Sequence, residues 1–184
     1  MGYNPLFGEK GESFMEFVLA APEYLEQMCR ITDEAKAQLK GLGLDQWQKG
    51  YPNREVWESD MQKQCTWLAV DQGRVLGIYA YQTAPEPSYD EIDGAWLTDT
   101  PYASFHRVCV ADACKGQGVA GALFAHGFAL AKAQGFASVR IDTHSGNLPM
   151  QSALKKAGFA FCGNIILKDC VEAGDPRIAY EIIL

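Results

Sequence analysis

The stretch Val110-Ala111-Asp112-Ala113-Cys114-Lys115-Gly116-Gln117-Gly118-Val119-Ala120-Gly121 is the part of this sequence with the clearest capacity for chemistry. An apolar, strand-like run enters it, small residues fill its turn, and a mostly apolar helix leaves it. Such a turn gathers successive backbone N–H groups and a helix N-terminus around one point, where they can hold a phosphate or pyrophosphate. Side chains would obstruct that approach, so Gly116, Gly118 and Ala120 suit it. Gln117 and Val119 supply backbone donors, and Lys115 adds a positive charge. A strand–helix connection that needs glycine only for its backbone angles would read the same way.

Gly116, Gly118 and Gly121 also fit the G-x-G-x-x-G dinucleotide fingerprint, with Asp142 at about the expected distance. Two features oppose that reading. Ala111 to Lys115 separate the strand from the first glycine, and too little chain follows Asp142 to build the second half of a dinucleotide fold.

The chain that must position this turn has 184 residues, 48% of them hydrophobic, which suits one globular domain. With 16 Lys+Arg against 23 Asp+Glu the net charge is −7. That balance argues against a general nucleic-acid or anionic-membrane binder and fits a cationic or neutral small partner. The longest apolar run, Val119 to Ala131, is well short of the roughly 20 residues that cross a bilayer. The N-terminal residues lack the basic and apolar regions of a signal peptide. The six cysteines form no Cys-x-x-Cys pair and no metal-like spacing, as expected for reduced thiols in a cytoplasmic protein with no metal site.

Residues 1–13 read as a loose leader and 14–184 as one α+β domain. Phe14 to Ala21 reads as a strand. Apolar residues at helical spacing follow from Glu23 to Lys40, and Asn53 can cap a second helix from Arg54 to about Gln64. Thr66–Val70 and Arg74–Tyr81 flank Asp71-Gln72-Gly73 as a hairpin. A long polar loop runs from Thr83 to Pro101. Then come a strand at Ser104–Val110, the glycine turn, a helix at Val119–Gln134, a strand at Ala137–Thr143 and a helix at Leu148–Ala157. Phe159–Leu167 and Arg177–Leu184 close the chain as two strands around Gly174-Asp175-Pro176.

In this setting the glycine turn resembles the coenzyme A motif of the GNAT N-acetyltransferase superfamily. That motif is a strand valine, then Gln or Arg, Gly, and Gly or Ala at fixed spacing. Val110, Lys115, Gly118 and Ala120 fall on it, with Lys115 in place of the usual Gln or Arg. Downstream, Val139-Arg140-Ile141-Asp142, Asn147, Met150 to Ala157 and Gly158-Phe159 are similar to the rest of the family pattern. Asp142-Thr143-His144 with Asn147 and Met150 resembles a bacterial branch of it. The resemblance implies a mixed, mostly antiparallel sheet flanked by helices, whose fourth and fifth strands splay apart. It also implies acetyl-CoA as co-substrate and direct transfer of acetyl to a primary amine, either a small molecule or a peptide N-terminus. The pantetheine arm would pair with backbone groups of Val108, Cys109 and Val110, with Asn147 close by. Homodimers are common in the family. A catalytically silent acyl-CoA-binding module on the same fold is the alternative.

One departure stands out. The family's thiolate-protonating Tyr would fall at Leu154, which cannot donate a proton. His144, Ser145 and Ser152 are the nearby substitutes. The family's base commonly sits early on the fourth strand. Alternation back from Val110 brings Val108, His106 and Ser104 to one face and sends Arg107 and Cys109 to the other. His106 is therefore the expected base, since an imidazole titrates near the right pH. A histidine bonded to a neighbour in the core is the plainer reading. The loop before this strand carries Glu86, Asp90, Glu91, Asp93 and Asp99 without a single Lys or Arg. With Tyr89 and Trp96 among them, these carboxylates would favour a cationic amine. A solvated acidic loop is the simpler explanation.

Overall fold

The computed structural model describes residues 15–184. The expected leader lies outside them. β1 (Glu16–Leu19) leads through a 3-10 turn into α1 (Leu25–Gly41), which buries Met28, Ile31, Thr32, Ala35 and Leu39 on one stripe. α2 (Arg54–Gln62) begins at Asn53, whose side chain accepts from the Val56 N–H at 3.1 Å. β2 (Thr66–Asp71) and β3 (Arg74–Gln82) form the expected hairpin. β4 (Asp93–Gly94), β5 (Tyr102–Val110), α3 (Val119–Ala133), β6 (Ser138–Thr143), α4 (Leu148–Ala157), β7 (Ala160–Ile166) and β8 (Pro176–Ile183) complete the described residues. Their sheet runs β1-β2-β3-β5-β6-β8-β7-β4, and only β5 and β6 pair in parallel.

β4 corrects the reading of 83–101 as loop alone. Two residues carry no periodicity to detect, yet Asp93 and Gly94 pair with Asn164 and Gly163 and extend the sheet beyond β7. The rest of the loop is pinned as well. The Arg140 guanidinium lies over the Trp96 ring at 4.1 Å and the Tyr102 ring at 4.0 Å, and its Nη2 donates to the Thr98 carbonyl at 2.6 Å.

Two features of β5 set up the cleft. Its pairing with β6 ends after three rungs, at Ser104 opposite Arg140, so the two strands part along Phe105–Val110. Its pairing with β3 carries a bulge. Cys109 faces Ile78 and His106 faces Ala80, leaving Arg107 and Val108 together against Tyr79, with Arg107 at φ +52°. Directly opposed residues share a face. Gly77 and Tyr81, partners of Val110 and Phe105, lie on the α3 side: a Cβ on Gly77 would meet Val119 and Leu123, and Phe105 stacks on Phe124 and Phe128. Gly127 is the residue that admits the Phe105 ring this close to α3, since a Cβ there would sit 2.3 Å from it. Cys109, Arg107, His106 and Ser104 therefore occupy the other face, towards α1 and α2.

This overturns the simple alternation, which set Arg107 and Cys109 opposite His106. The extra residue of the bulge shifts the parity, so Val110 is the one that points away. Among the described residues no helix is long and apolar enough to cross a membrane.

Candidate active site

A cavity of about 1090 Å³ occupies the opening between β5 and β6 and continues to the N-terminus of α3. It is large for a single small-molecule site. At one end lie Gly116, Gly118, Val119 and Ala120. Gly118 holds φ +83° as the N-cap of α3, and a Cβ on Gly116 or Gly118 would meet nothing within 4 Å. The turn is thus an open cradle faced by the unpaired N–H groups of the first helical turn. The Lys115 ammonium lies at the same end but is held by Asp112 Oδ1 and Gln38 Oε1, both at 2.5 Å. Lys156 in the last turn of α4 also lines the cavity.

From the cradle the cavity follows Val110, Cys109 and Val108 along the β5 edge that β6 has left. It reaches a polar end bounded by Glu86, His106, Arg107, Asp142, Glu172 and Arg177. Here His106 Nε2 lies 3.0 Å from Ser104 Oγ and 3.8 Å from Glu86 Oε2. Burial, with Arg107 beside it, pushes the imidazole down to about 3. Asp142 accepts a hydrogen bond from the Tyr89 hydroxyl at 2.7 Å. Burial raises its carboxyl to about 6, against the opposing pull of that hydrogen bond. Arg107 donates to Asp60 at 2.6 Å and to Tyr51 at 2.7 Å. Arg177 pairs with Glu172 at 3.0 Å, and Glu172 accepts from the Trp47 N–H, so the loop before β8 is fastened to the segment after α1.

The cavity therefore gathers His106, Val108, Cys109, Val110, Lys115, Gly116, Gly118, Val119, Ala120 and Asn147. Asn147 spends its side chain on local structure: Oδ1 caps α4 at Met150 N and Nδ2 donates to Thr143 Oγ1. The other expected residues lie outside the lining. Gln117 turns back to the Ala113 carbonyl. His144 accepts from Gly146 N and lies 3.4 Å from Asp45. Glu91 is exposed and paired with Lys168. Trp96 is covered by Arg140 and donates to the Tyr89 carbonyl. Tyr89 sits just behind the lining, its ring stacked on that of His106 at 6.3 Å. Leu154 is fully buried in the core. His126 has the plain role, bonded to the Tyr79 hydroxyl at 2.8 Å and stacked on Phe17.

Sequence reading placed Glu86 only within an acidic loop and Asp142 only within a motif. It passed over Lys156, Glu172 and Arg177. Asp142 could have been found by alternation from Arg140. Glu172 and Arg177 leave no local signal, because their partnership depends on a loop closing onto Trp47.

The depressed His106 imidazole has a consequence for stability. Its folded value lies below the unfolded value of 6.5. The unfolded chain therefore binds the extra proton as pH falls below that value, and folding stability drops towards the folded pKa. Urea unfolding of the wild type and His106→Asn at neutral pH and at about pH 4.5 should show the variant less acid-sensitive by about 3 kcal/mol. An unchanged difference between the two pH values would show that His106 is not buried as a neutral base.

The sequence matches the acetyltransferase (GNAT) family model over residues 26–159. A GNAT-family acetyltransferase from Streptococcus agalactiae is 33% identical, with 92% of this chain and 95% of that one covered at a TM-score of 0.81. A GNAT-family acetyltransferase from Listeria monocytogenes is 18% identical, covering 95% and 97% at a TM-score of 0.69. A ribosomal-protein-alanine N-acetyltransferase from Brucella melitensis is 16% identical, covering 92% and 99% at 0.65. These two likenesses speak to the fold alone. No curated protein sequence matches the chain.

Proposed function

The chain belongs to the GNAT acetyltransferase family, and from that premise we propose that it moves acetyl from acetyl-CoA to a cationic primary amine by direct attack. The continuity of one cavity carries this reading. It joins an open glycine cradle, an unpaired strand edge and a carboxylate-lined end. The cradle suits a pyrophosphate, since Gly116 and Gly118 leave the space a side chain would fill and the first turn of α3 offers backbone donors. Lys115, bonded to Asp112 and Gln38, adds a positive charge beside the cradle, and Lys156 adds another to the cavity lining. The free edge of Val108–Val110 offers backbone groups to an extended arm, which carries the activated acetyl when bound. At the far end Glu86 and Asp142 favour an ammonium over an anion.

His106, neutral at physiological pH, acts here as a polar contact for the acceptor rather than as a reservoir for its proton. With Leu154 at the family's acid position and His144 outside the lining, the departing thiolate takes its proton from the amine or from solvent.

Calorimetric titration with acetyl-CoA, followed by thiol release with cadaverine, tyramine, a short peptide with a free N-terminus, and glycine, tests the proposal. Acetyl-CoA should bind, and cadaverine and tyramine should release thiol with higher kcat/KM than glycine. Binding with no release from any amine would favour the silent acyl-CoA-binding module. Absence of binding would remove both readings.

A further inference from the structure

Asp142 stands at the point where the cleft opens. β5 and β6 run parallel, and their last rung joins Ser104 to Arg140. Two residues further along each strand lie His106 and Asp142, level with each other across the first part of the gap. Both line the cavity. The gap is bridged from behind by Tyr89, whose ring stacks on His106 and whose hydroxyl holds Asp142 Oδ1. Among the described residues Asp142 Oδ2 has no hydrogen-bond partner. Its neighbours are placed differently. His106 has Nε2 engaged with Ser104 and stands next to the Arg107 guanidinium. Glu86 has Oε1 held by the backbone N–H and the hydroxyl of Ser88 and Oε2 3.8 Å from His106, so it stands beside the imidazole on the loop before β5 and not on the β6 side of the gap.

We propose that Asp142 is the catalytic residue that takes the proton from the attacking ammonium, with Tyr89 as the positioning residue that fixes its carboxylate. The inference rests on the amine-acetylation reading above. Asp142 Oδ2 accepts one N–H proton, and the freed nitrogen lone pair forms the C–N bond to the thioester carbon. The C–S bond breaks with its electron pair on sulfur. The second N–H proton neutralises the thiolate, and the Asp142 carboxyl returns its proton to solvent. A carboxyl raised to about 6 is ionised at neutral pH and more basic than an ordinary aspartate. The charged and titratable groups around it are Tyr89 and Glu86 from the loop before β5, His106 on β5, and Glu172 and Arg177 before and on β8.

Thiol release with cadaverine, measured across pH for the wild type, Asp142→Asn, Tyr89→Phe and His106→Asn, tests this. Asp142→Asn should lower kcat ~100-fold or more, while acetyl-CoA affinity stays within about twofold, because the cradle is at the other end of the cavity. Tyr89→Phe removes a hydrogen bond that favours the charged carboxylate. The acidic limb of its kcat/KM profile should therefore move to higher pH, with activity recovered on the alkaline side. His106→Asn should leave that limb where it is. Retained kcat in Asp142→Asn, or a limb that vanishes only with His106, would overturn the assignment. Carboxyl-carbon NMR of wild type and Tyr89→Phe gives a readout independent of any acceptor, and an Asp142 titration that does not move between them overturns Tyr89's part. A wild type that releases no thiol with any amine fails the transfer reading itself, a result distinct from active wild type with active Asp142→Asn.

Discussion

Gly118→Glu should abolish measurable acetyl-CoA binding, lowering affinity at least ~100-fold, because it places a carboxylate at the proposed pyrophosphate site. The bulk acts alone only in part, since the space beyond Gly118 is open in the protein as it stands. The like charge supplies the rest. Backbone strain must be separated from both, because φ is +83° and any side chain there is disfavoured. Gly118→Asn is the control: asparagine tolerates the left-handed region and carries no charge. The two variants should share a modest loss of stability by thermal melting, while only Gly118→Glu loses binding by calorimetry. Equal affinities for Gly118→Glu and wild type would mean that the phosphates lie elsewhere and that the glycines serve only the turn.

That experiment addresses the most legible part of the molecule. The cradle was readable because glycine spacing and the strand-to-helix change are local properties. So were the hairpin at Gln72-Gly73, the Asn53 cap and the stripe of α1. What escaped was set by pairing between distant strands. The bulge at Arg107 follows from the match between β5 and β3, and nothing within Ser104–Val110 announces it. Its effect on the cavity lining is direct, because it moves Cys109 to the face of His106 and gives Arg107 a route to Asp60 and Tyr51. The acidic loop shows the same limit. Its composition is carboxylate-rich, yet only Glu86 among those carboxylates lines the cavity. Asp93 sits on β4 and Glu91 pairs with Lys168. Tyr89 and Trp96 became buttresses, because Asp142 and Arg140 on β6 engage them.

The support of that loop yields the largest expected effect on stability. Glu181→Ala should destabilise the fold by roughly 3–5 kcal/mol in urea unfolding, the cost of leaving one partner of a buried pair uncompensated. Glu181 is fully buried and satisfies three donors: Arg140 Nε at 3.1 Å, Ser138 Oγ at 2.6 Å and the Leu97 N–H at 2.5 Å. Removing it strands the Arg140 guanidinium between Trp96 and Tyr102 and detaches the loop at Leu97. A double variant, Arg140→Met with Glu181→Leu, should recover part of the loss, since apolar replacement of both partners removes the unpaired charge. Function should divide along the cavity. The loop carries Glu86 and Tyr89, so the double variant should show a raised KM for the amine. The cradle is built on β5 and α3, so its acetyl-CoA affinity should stay near that of the wild type. A Glu181→Ala protein within about 1 kcal/mol of wild type would show that the pair contributes no more than a surface bridge does. The position of Glu86 and Tyr89 would then have to depend on the Tyr89–Asp142 hydrogen bond and the short β4–β7 pairing instead.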